Sequence, residues 1–92
     1  MFQRKYHTIT INRKGEKLFF PGFYQNSSIG YWQRYKKNFI SKNPGVRFDI
    51  FTSKKDATLV DKVMVLYPTG DIWVIISNTL LKEEYPEFAG RV

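Results

Sequence analysis

Residues 62–77 have the sequence KVMVLYPTGDIWVIIS, in which two apolar runs flank a turn. The runs at 62–67 and 71–77 are strand-length, and each is apolar on both of its faces. Pro68 and Gly70 are typical of a tight turn, because proline fixes φ and glycine accepts a positive φ. Strands that are apolar on both faces are typical of the centre of a covered sheet. We therefore expect this stretch to form a central hairpin.

The N-terminal residues predict a second hairpin. Residues 6–12 alternate between polar and apolar side chains, with the two-residue period of a half-buried strand. Residues 13–16 have turn chemistry, and residues 17–20 return as a strand. Pro21 and Gly22 are expected to end that strand, because both residues interrupt regular pairing.

Residues 29–41 have the periodicity of an amphipathic helix, preceded by a loop over 23–26 and an N-cap at Ser27 or Ser28. Asn43-Pro44-Gly45 is expected to end the helix. Lys36 falls inside the apolar arc, so either its stem packs while its ammonium reaches solvent, or it faces a ligand. The predicted apolar side consists of Ile29, Trp32, Tyr35, Phe39 and Ile40.

The rest of the chain completes an α+β order. Residues 46–52 predict a third strand, residues 53–56 resemble a capping box that would open a short helical turn, and residues 78–85 predict a short helix ended by Pro86. We expect a single small domain over 1–92, with a four- to five-stranded mixed or antiparallel sheet packed on one main helix at about 29–41. A β-grasp-like strand order fits, as does an opened-out relative of the ferredoxin-like folds.

One helix covers only one face of the hairpin from Lys62 to Ser77. The other face is then closed by the chain's own segments, 21–28 and 78–85, or it is covered by a second copy in a homodimer or by a larger protein. The sequence leaves these alternatives open.

Charge is the most informative functional feature of the sequence. The formal net charge is +7, yet residues 1–47 contain ten basic residues against one acidic residue. Residues 48–92 contain five basic residues against seven acidic ones, and twelve of the sixteen aromatic residues precede Thr52. This asymmetry predicts one strongly basic, aromatic-rich surface that binds an acidic partner.

The leading hypothesis is a non-catalytic module that binds single-stranded DNA or RNA. Phosphates need spaced positive charge, and unpaired bases need flat rings on which to stack. No recognition-helix or RNP-like pattern points to duplex readout or to a known RNA-binding motif. The predicted phosphate contacts are Arg13, Lys14, Lys17, Arg34 and Lys37, and the predicted stacking residues are Tyr24 and Tyr31.

Two other classes remain open. The first is an accessory or inhibitor protein, of the kind encoded by phages and mobile elements, that docks on a larger protein. The second is a small RNase in which His7 and a carboxylate such as Glu16 perform acid–base chemistry. Without cysteine and with one histidine, the sequence predicts no metal site and no cofactor. The absence of a long apolar run or signal-like segment favours a cytoplasmic protein without membrane contact.

Overall fold

The computed structural model describes the backbone of residues 3–91, and the side chains of these residues except 3, 4 and 23–25. Within that range the chain forms five strands and three helices. In chain order they are β1 (Gln3–Ile11), β2 (Lys17–Asn26), α1 (Ile29–Lys42), β3 (Arg47–Thr52), β4 (Val60–Leu66), β5 (Ile72–Ser77), α2 (Asn78–Glu84) and α3 (Pro86–Ala89).

The strands form one sheet in the order β2-β1-β5-β4-β3, and every neighbouring pair is antiparallel. The predicted α+β class, with a five-stranded antiparallel sheet and one main helix, is confirmed. β5 is the middle strand and β4 is its neighbour, so the 62–77 hairpin is internal, as its two apolar faces indicated. The edge strands are β2 and β3, and α1 connects them.

The α1 helix covers one face of the sheet. The Ser28 hydroxyl caps its start by accepting a hydrogen bond from the Tyr31 backbone N–H at 3.3 Å, which confirms one of the two predicted N-caps. Trp32 lies beneath the helix with 1% of its surface exposed, packed against strand residues that include Tyr6, Val63 and Ile75. The Trp32 indole N–H donates to the Asn26 carbonyl oxygen at 2.8 Å, which fixes the helix start against the end of β2.

The α2 and α3 helices cover the opposite face. Leu81 and Phe88 are buried there against Ile9, Val74 and Ile76. The Phe88 ring stacks on Phe19 of β2, with their centroids 4.9 Å apart. The chain therefore closes its own second face, mainly through α2, α3 and Phe19. A homodimer through the 62–77 hairpin stays a prediction, and the exposed turn at 68–71 is the part of that hairpin open to a second copy.

The predicted end of the second strand is wrong. β2 continues through Pro21 and Gly22 to Asn26, so residues 23–26 are strand backbone and not a loop. The register between β1 and β2 shifts between Tyr6 and Thr8, and this irregularity lies opposite the Pro-Gly pair. Gly22 has a φ of 100°, a conformation open to glycine, so the pair bends the strand without ending it.

The predicted helical turn after residue 53 is also wrong. The Asp56 carboxylate accepts hydrogen bonds from the Thr58 N–H and hydroxyl, at 2.9 and 2.6 Å, and does not reach back to cap residue 53. The Ser53 N–H instead donates to the Leu59 carbonyl oxygen at 2.9 Å, so this segment is a non-helical loop. The predicted helix at 78–85 is confirmed as α2, and Pro86 starts the short α3 helix directly after it. Within residues 3–91, no helix is long and apolar enough to cross a membrane.

Candidate nucleic-acid interface

The solvent side of α1 carries the densest positive charge on any helix of the described chain. The helix contains Arg34, Lys36, Lys37 and Lys42 and no acidic residue. Arg34, Lys37 and Lys42 are exposed, and we call these three side chains the basic helix face. Within the described part of the chain, none of the three forms an ion pair. Their charge is therefore available to an external anion.

Lys36 lies apart from the basic helix face, on the flank of α1 that faces the β3 edge. It lines a shallow depression there with Gln33, Arg47 and Asp49. The side chain is half-buried, in agreement with its predicted position inside the apolar arc.

Two tyrosines of α1, Tyr31 and Tyr35, lie close together next to the core. The rings of Tyr31 and Tyr35 are 6.3 Å apart, and both residues are half-buried against the core. Burial raises the pKa of Tyr35 above its ordinary value of 10.0, and the nearby Tyr31 and Tyr67 phenols raise it further. The Tyr35 phenol is therefore protonated at neutral pH, so it can donate a hydrogen bond as well as offer a ring for stacking.

Two further predicted contacts, Arg13 and Lys14, project from the turn between β1 and β2. The Asn12 side-chain oxygen holds this turn by accepting hydrogen bonds from the Lys14 and Glu16 backbone N–H groups, both at 2.9 Å. The turn lies against the β4–β5 turn, since a Cβ built on Gly70 would be 3.1 Å from the Cβ of Arg13. Both basic side chains are exposed.

Lys17 points to the opposite face of the sheet. Its ammonium forms an ion pair with Glu87 of α3 at 3.3 Å and lies 5.4 Å from the centre of the Tyr85 ring. The structure thus separates this predicted phosphate contact from Arg34 and Lys37. Tyr24 belongs to β2 by its backbone, and its side chain lies outside the described part of the chain.

A cleft of about 710 Å³ opens between the two turns at this end of the sheet, and we call it the tip cleft. Thr10, Leu18, Tyr67 and Trp73 form its apolar part, and Glu16 and Asp71 lie among its polar lining residues. The sequence places Tyr67 and Trp73 only in a central hairpin. No sequence signal marks them as accessible, because their exposure depends on where α1 ends above the sheet.

His7, the predicted acid–base residue of the RNase hypothesis, is buried with 0% exposure. Its Nδ1 accepts a hydrogen bond from the Gly22 N–H at 3.2 Å, and its Nε2 lies 3.1 Å from the Asn78 side-chain oxygen. Burial lowers the pKa of His7, partly offset by the Asn78 hydrogen bond, so the ring is neutral at pH 7. Glu16 lies beyond the far end of β1, where it accepts a hydrogen bond from the Asn12 side chain at 2.7 Å. The geometry therefore gives His7 a structural role in joining β1, β2 and α2.

The helices α2 and α3 carry net negative charge, whereas α1 carries only positive charge. Glu83, Glu84 and Glu87 lie on these helices, and Lys82 is the basic residue that accompanies them. Lys62 of β4 forms an ion pair with Glu84 at 2.8 Å, and its ammonium lies 4.7 Å from the centre of the Phe51 ring. The two helical layers on the sheet therefore differ in charge as well as in position.

Comparisons of this chain with protein-family models, with curated proteins and with solved structures found no match in any of the three. They assign the chain neither a family nor a function.

Proposed function

We propose that this protein binds single-stranded nucleic acid along the α1 side of its sheet. The observation that carries the proposal is the basic helix face, whose three exposed cations have no ion-pair partner in the described part of the chain. Such cations release counterions when they contact phosphates, and this release supplies most of the affinity of non-specific nucleic-acid binding.

A single strand fits this surface better than a duplex. Tyr31 and Tyr35 lie on the flank of α1 beside the cations, half-buried and held in place by contacts with Trp32. Rings fixed in this way offer stacking platforms to unpaired bases, which the stacked interior of a duplex cannot use. Arg13 and Lys14 at the β1–β2 turn extend the positive charge toward the tip cleft.

The first prediction concerns the salt dependence of binding. A labelled oligonucleotide of about 12 nucleotides is titrated with protein by fluorescence anisotropy between about 50 and about 200 mM salt. We expect the double variant Arg34→Ala, Lys37→Ala to bind more weakly. Its log–log slope against salt should be shallower by about 1.4, because each lost single-strand phosphate contact removes about 0.7.

The matched control is Lys54→Ala with Lys55→Ala, which also removes two exposed cations. These residues lie in the β3–β4 loop, in a depression that they share with α2 residues such as Glu83 and Glu84. This variant should keep the wild-type slope. If the protein shows no binding at the lowest salt, or if both double variants lose the same slope, the proposed interface is wrong.

A second candidate function, docking on another protein, is favoured by one observation on β2. Leu18 and Phe20 of this edge strand are 63% and 50% exposed. Large apolar side chains on a free sheet edge are typical of surfaces that another protein covers.

The two proposals separate during purification. Nucleic-acid binding predicts an elevated ratio of absorbance at 260 to 280 nm at low salt, lost as salt rises. Docking predicts a stoichiometric complex with one protein that survives high salt and is abolished by Phe20→Ser.

A further inference from the structure

We propose that the tip cleft binds one unstacked nucleobase that carries an exocyclic amino group. The inference rests on the proposed function and adds to it a base-specific site. That site lies at the end of the sheet, beyond the basic helix face.

The size and walls of the tip cleft suit a base. Its volume of about 710 Å³ lies within the range of about 300 to 1,000 Å³ that is usual for small-ligand sites. Trp73 and Tyr67 both contact Phe39 of α1, with centroids 6.0 and 6.4 Å away. This contact holds the two rings from behind, so they are ordered before a base arrives. Leu18 and Thr10 supply the apolar side of the opening.

The charged lining of the cleft excludes phosphate. Glu16 and Asp71 are exposed at its lining, and the third charged lining residue, Lys17, has its ammonium paired with Glu87 on the other face. Two carboxylates with no free cation between them repel a phosphate group. A neutral base can enter, while the backbone stays outside near Arg13, Lys14 and Lys42.

The same carboxylates select among bases. The Thr69 hydroxyl donates to Asp71 at 2.7 Å, and the Asn12 side-chain amide donates to Glu16 at 2.7 Å, so both groups are positioned from within their turns. Each carboxylate keeps further lone pairs, which can only accept hydrogen bonds. Cytosine, adenine and guanine have an amino group to donate to a carboxylate. Uracil has only its N3–H, which lies between two carbonyl oxygens that a carboxylate repels, so uracil is disfavoured.

The test compares dC and dU oligonucleotides of about 12 nucleotides, whose bases differ only at C4, amino against carbonyl, and at N3, acceptor against N–H donor. Binding is followed by anisotropy and by tryptophan fluorescence. Trp32 is 1% exposed, so quenching by an entering base reports on Trp73. We expect the dC oligonucleotide to quench this emission and to bind at least about fivefold more tightly than the dU oligonucleotide.

Three variants locate the effect. Leu18→Ser, at a position 63% exposed and therefore tolerant of exchange, should weaken dC binding about fivefold through lost apolar contact with the base. Trp73→Phe should abolish the quenching. Asp71→Asn should remove the preference for dC over dU, because an amide can donate to the uracil carbonyl. All three should keep the salt slope of the wild type.

The outcomes distinguish this inference from the proposed function. Salt-dependent binding without quenching, or with equal affinity for dC and dU, overturns the base site and leaves the basic helix face in place. Absence of binding to either oligonucleotide at low salt overturns both. Quenching with a dC preference that Asp71→Asn removes supports the site.

Discussion

His7 shows how one buried polar side chain can connect three elements. The ring accepts from Gly22 in β2 through Nδ1, and its Nε2 lies within hydrogen-bond distance of Asn78 in α2. Because Nδ1 accepts, the proton belongs on Nε2, which donates to Asn78. A buried histidine satisfied on both nitrogens stabilises the fold in its neutral form, and protonation breaks the bond from Gly22.

We expect the stability of the protein to fall on mild acidification. Burial, and to a lesser extent the nearby Lys5 charge, lower the pKa of His7 below its ordinary value of 6.5. The unfolded chain then binds the proton more readily, so the free energy of unfolding decreases as pH falls below about 6.5. Urea unfolding at about pH 7.5 and about pH 5.5 measures this loss, which is at most about 1.4 kcal/mol because the lower pH lies one unit below 6.5.

His7→Gln is the control, because glutamine does not titrate. Its unfolding free energy should change less than that of the wild type between the two pH values. The carboxyls with lowered pKa values, Asp56 and Glu87, have ordinary values of 3.8 and 4.5 and titrate below this window. A pH effect of equal size in His7→Gln would contradict the assignment.

At the scale of elements, β2 is a strand with a bend in its middle. Its Pro21-Gly22 pair lies opposite the register shift of β1, and the positive φ of Gly22 turns its N–H toward His7. The bend in β2 and the hydrogen bond to His7 therefore depend on the same residue, Gly22. A side chain at position 22 strains the strand and weakens the hydrogen bond to His7 together.

Two Gly→Ala variants should have opposite signs. Gly22→Ala should lower the free energy of unfolding by about 1–2 kcal/mol, because alanine is strained at a positive φ. Gly30→Ala in α1 should raise it by about 0.5 kcal/mol, since a Cβ there meets only the Arg34 guanidinium, at 3.9 Å. Urea unfolding of both variants checks the pair. If both variants change the free energy of unfolding in the same direction, the backbone conformation described for Gly22 or for Gly30 is wrong.

The sequence predicts elements well where local signals and packing agree. The α1 helix has an N-cap, a periodic apolar side and a breaker, and its predicted range of 29–41 differs from Ile29–Lys42 by one residue. The 53–56 segment has the residue types of a capping box but no apolar side to pack on the sheet, so it forms a loop and not a helix. The continuation of β2 past Pro21 depends on pairing with residues 3–6 of β1, at the end of the hairpin away from the turn. Local sequence patterns do not contain this pairing.

At the scale of the whole molecule, the charge difference between the two halves of the sequence becomes a difference between the helices on the two faces of the sheet. α1 belongs to the basic half and α2–α3 to the acidic half, and they lie on opposite sides of one sheet. The sequence predicted the asymmetry but not the site, because it could not show that Lys17 turns to the side of the sheet that α2 and α3 cover. It also could not show that Tyr67 and Trp73 lie beside a cleft.

We expect α2 to be essential for stability although it is short. Leu81 is fully buried in the second core, so Leu81→Ala should cost about 2–5 kcal/mol by urea unfolding. Leu80→Ala, one position earlier and half-buried, should cost clearly less. A cost below about 1 kcal/mol for Leu81→Ala would mean that α2 is dispensable for the core.

The β1–β5 pairing at the middle of the sheet has a consequence for folding. It joins residue 11 to residue 72 and residue 6 to residue 77, so the partners are separated by 61 to 71 positions along the chain. Closing a loop of that length costs entropy before its contacts repay it, whereas the β1–β2 and β4–β5 hairpins close short loops. The β1–β2 and β4–β5 hairpins therefore form at a lower entropic cost than the β1–β5 pairing that joins them.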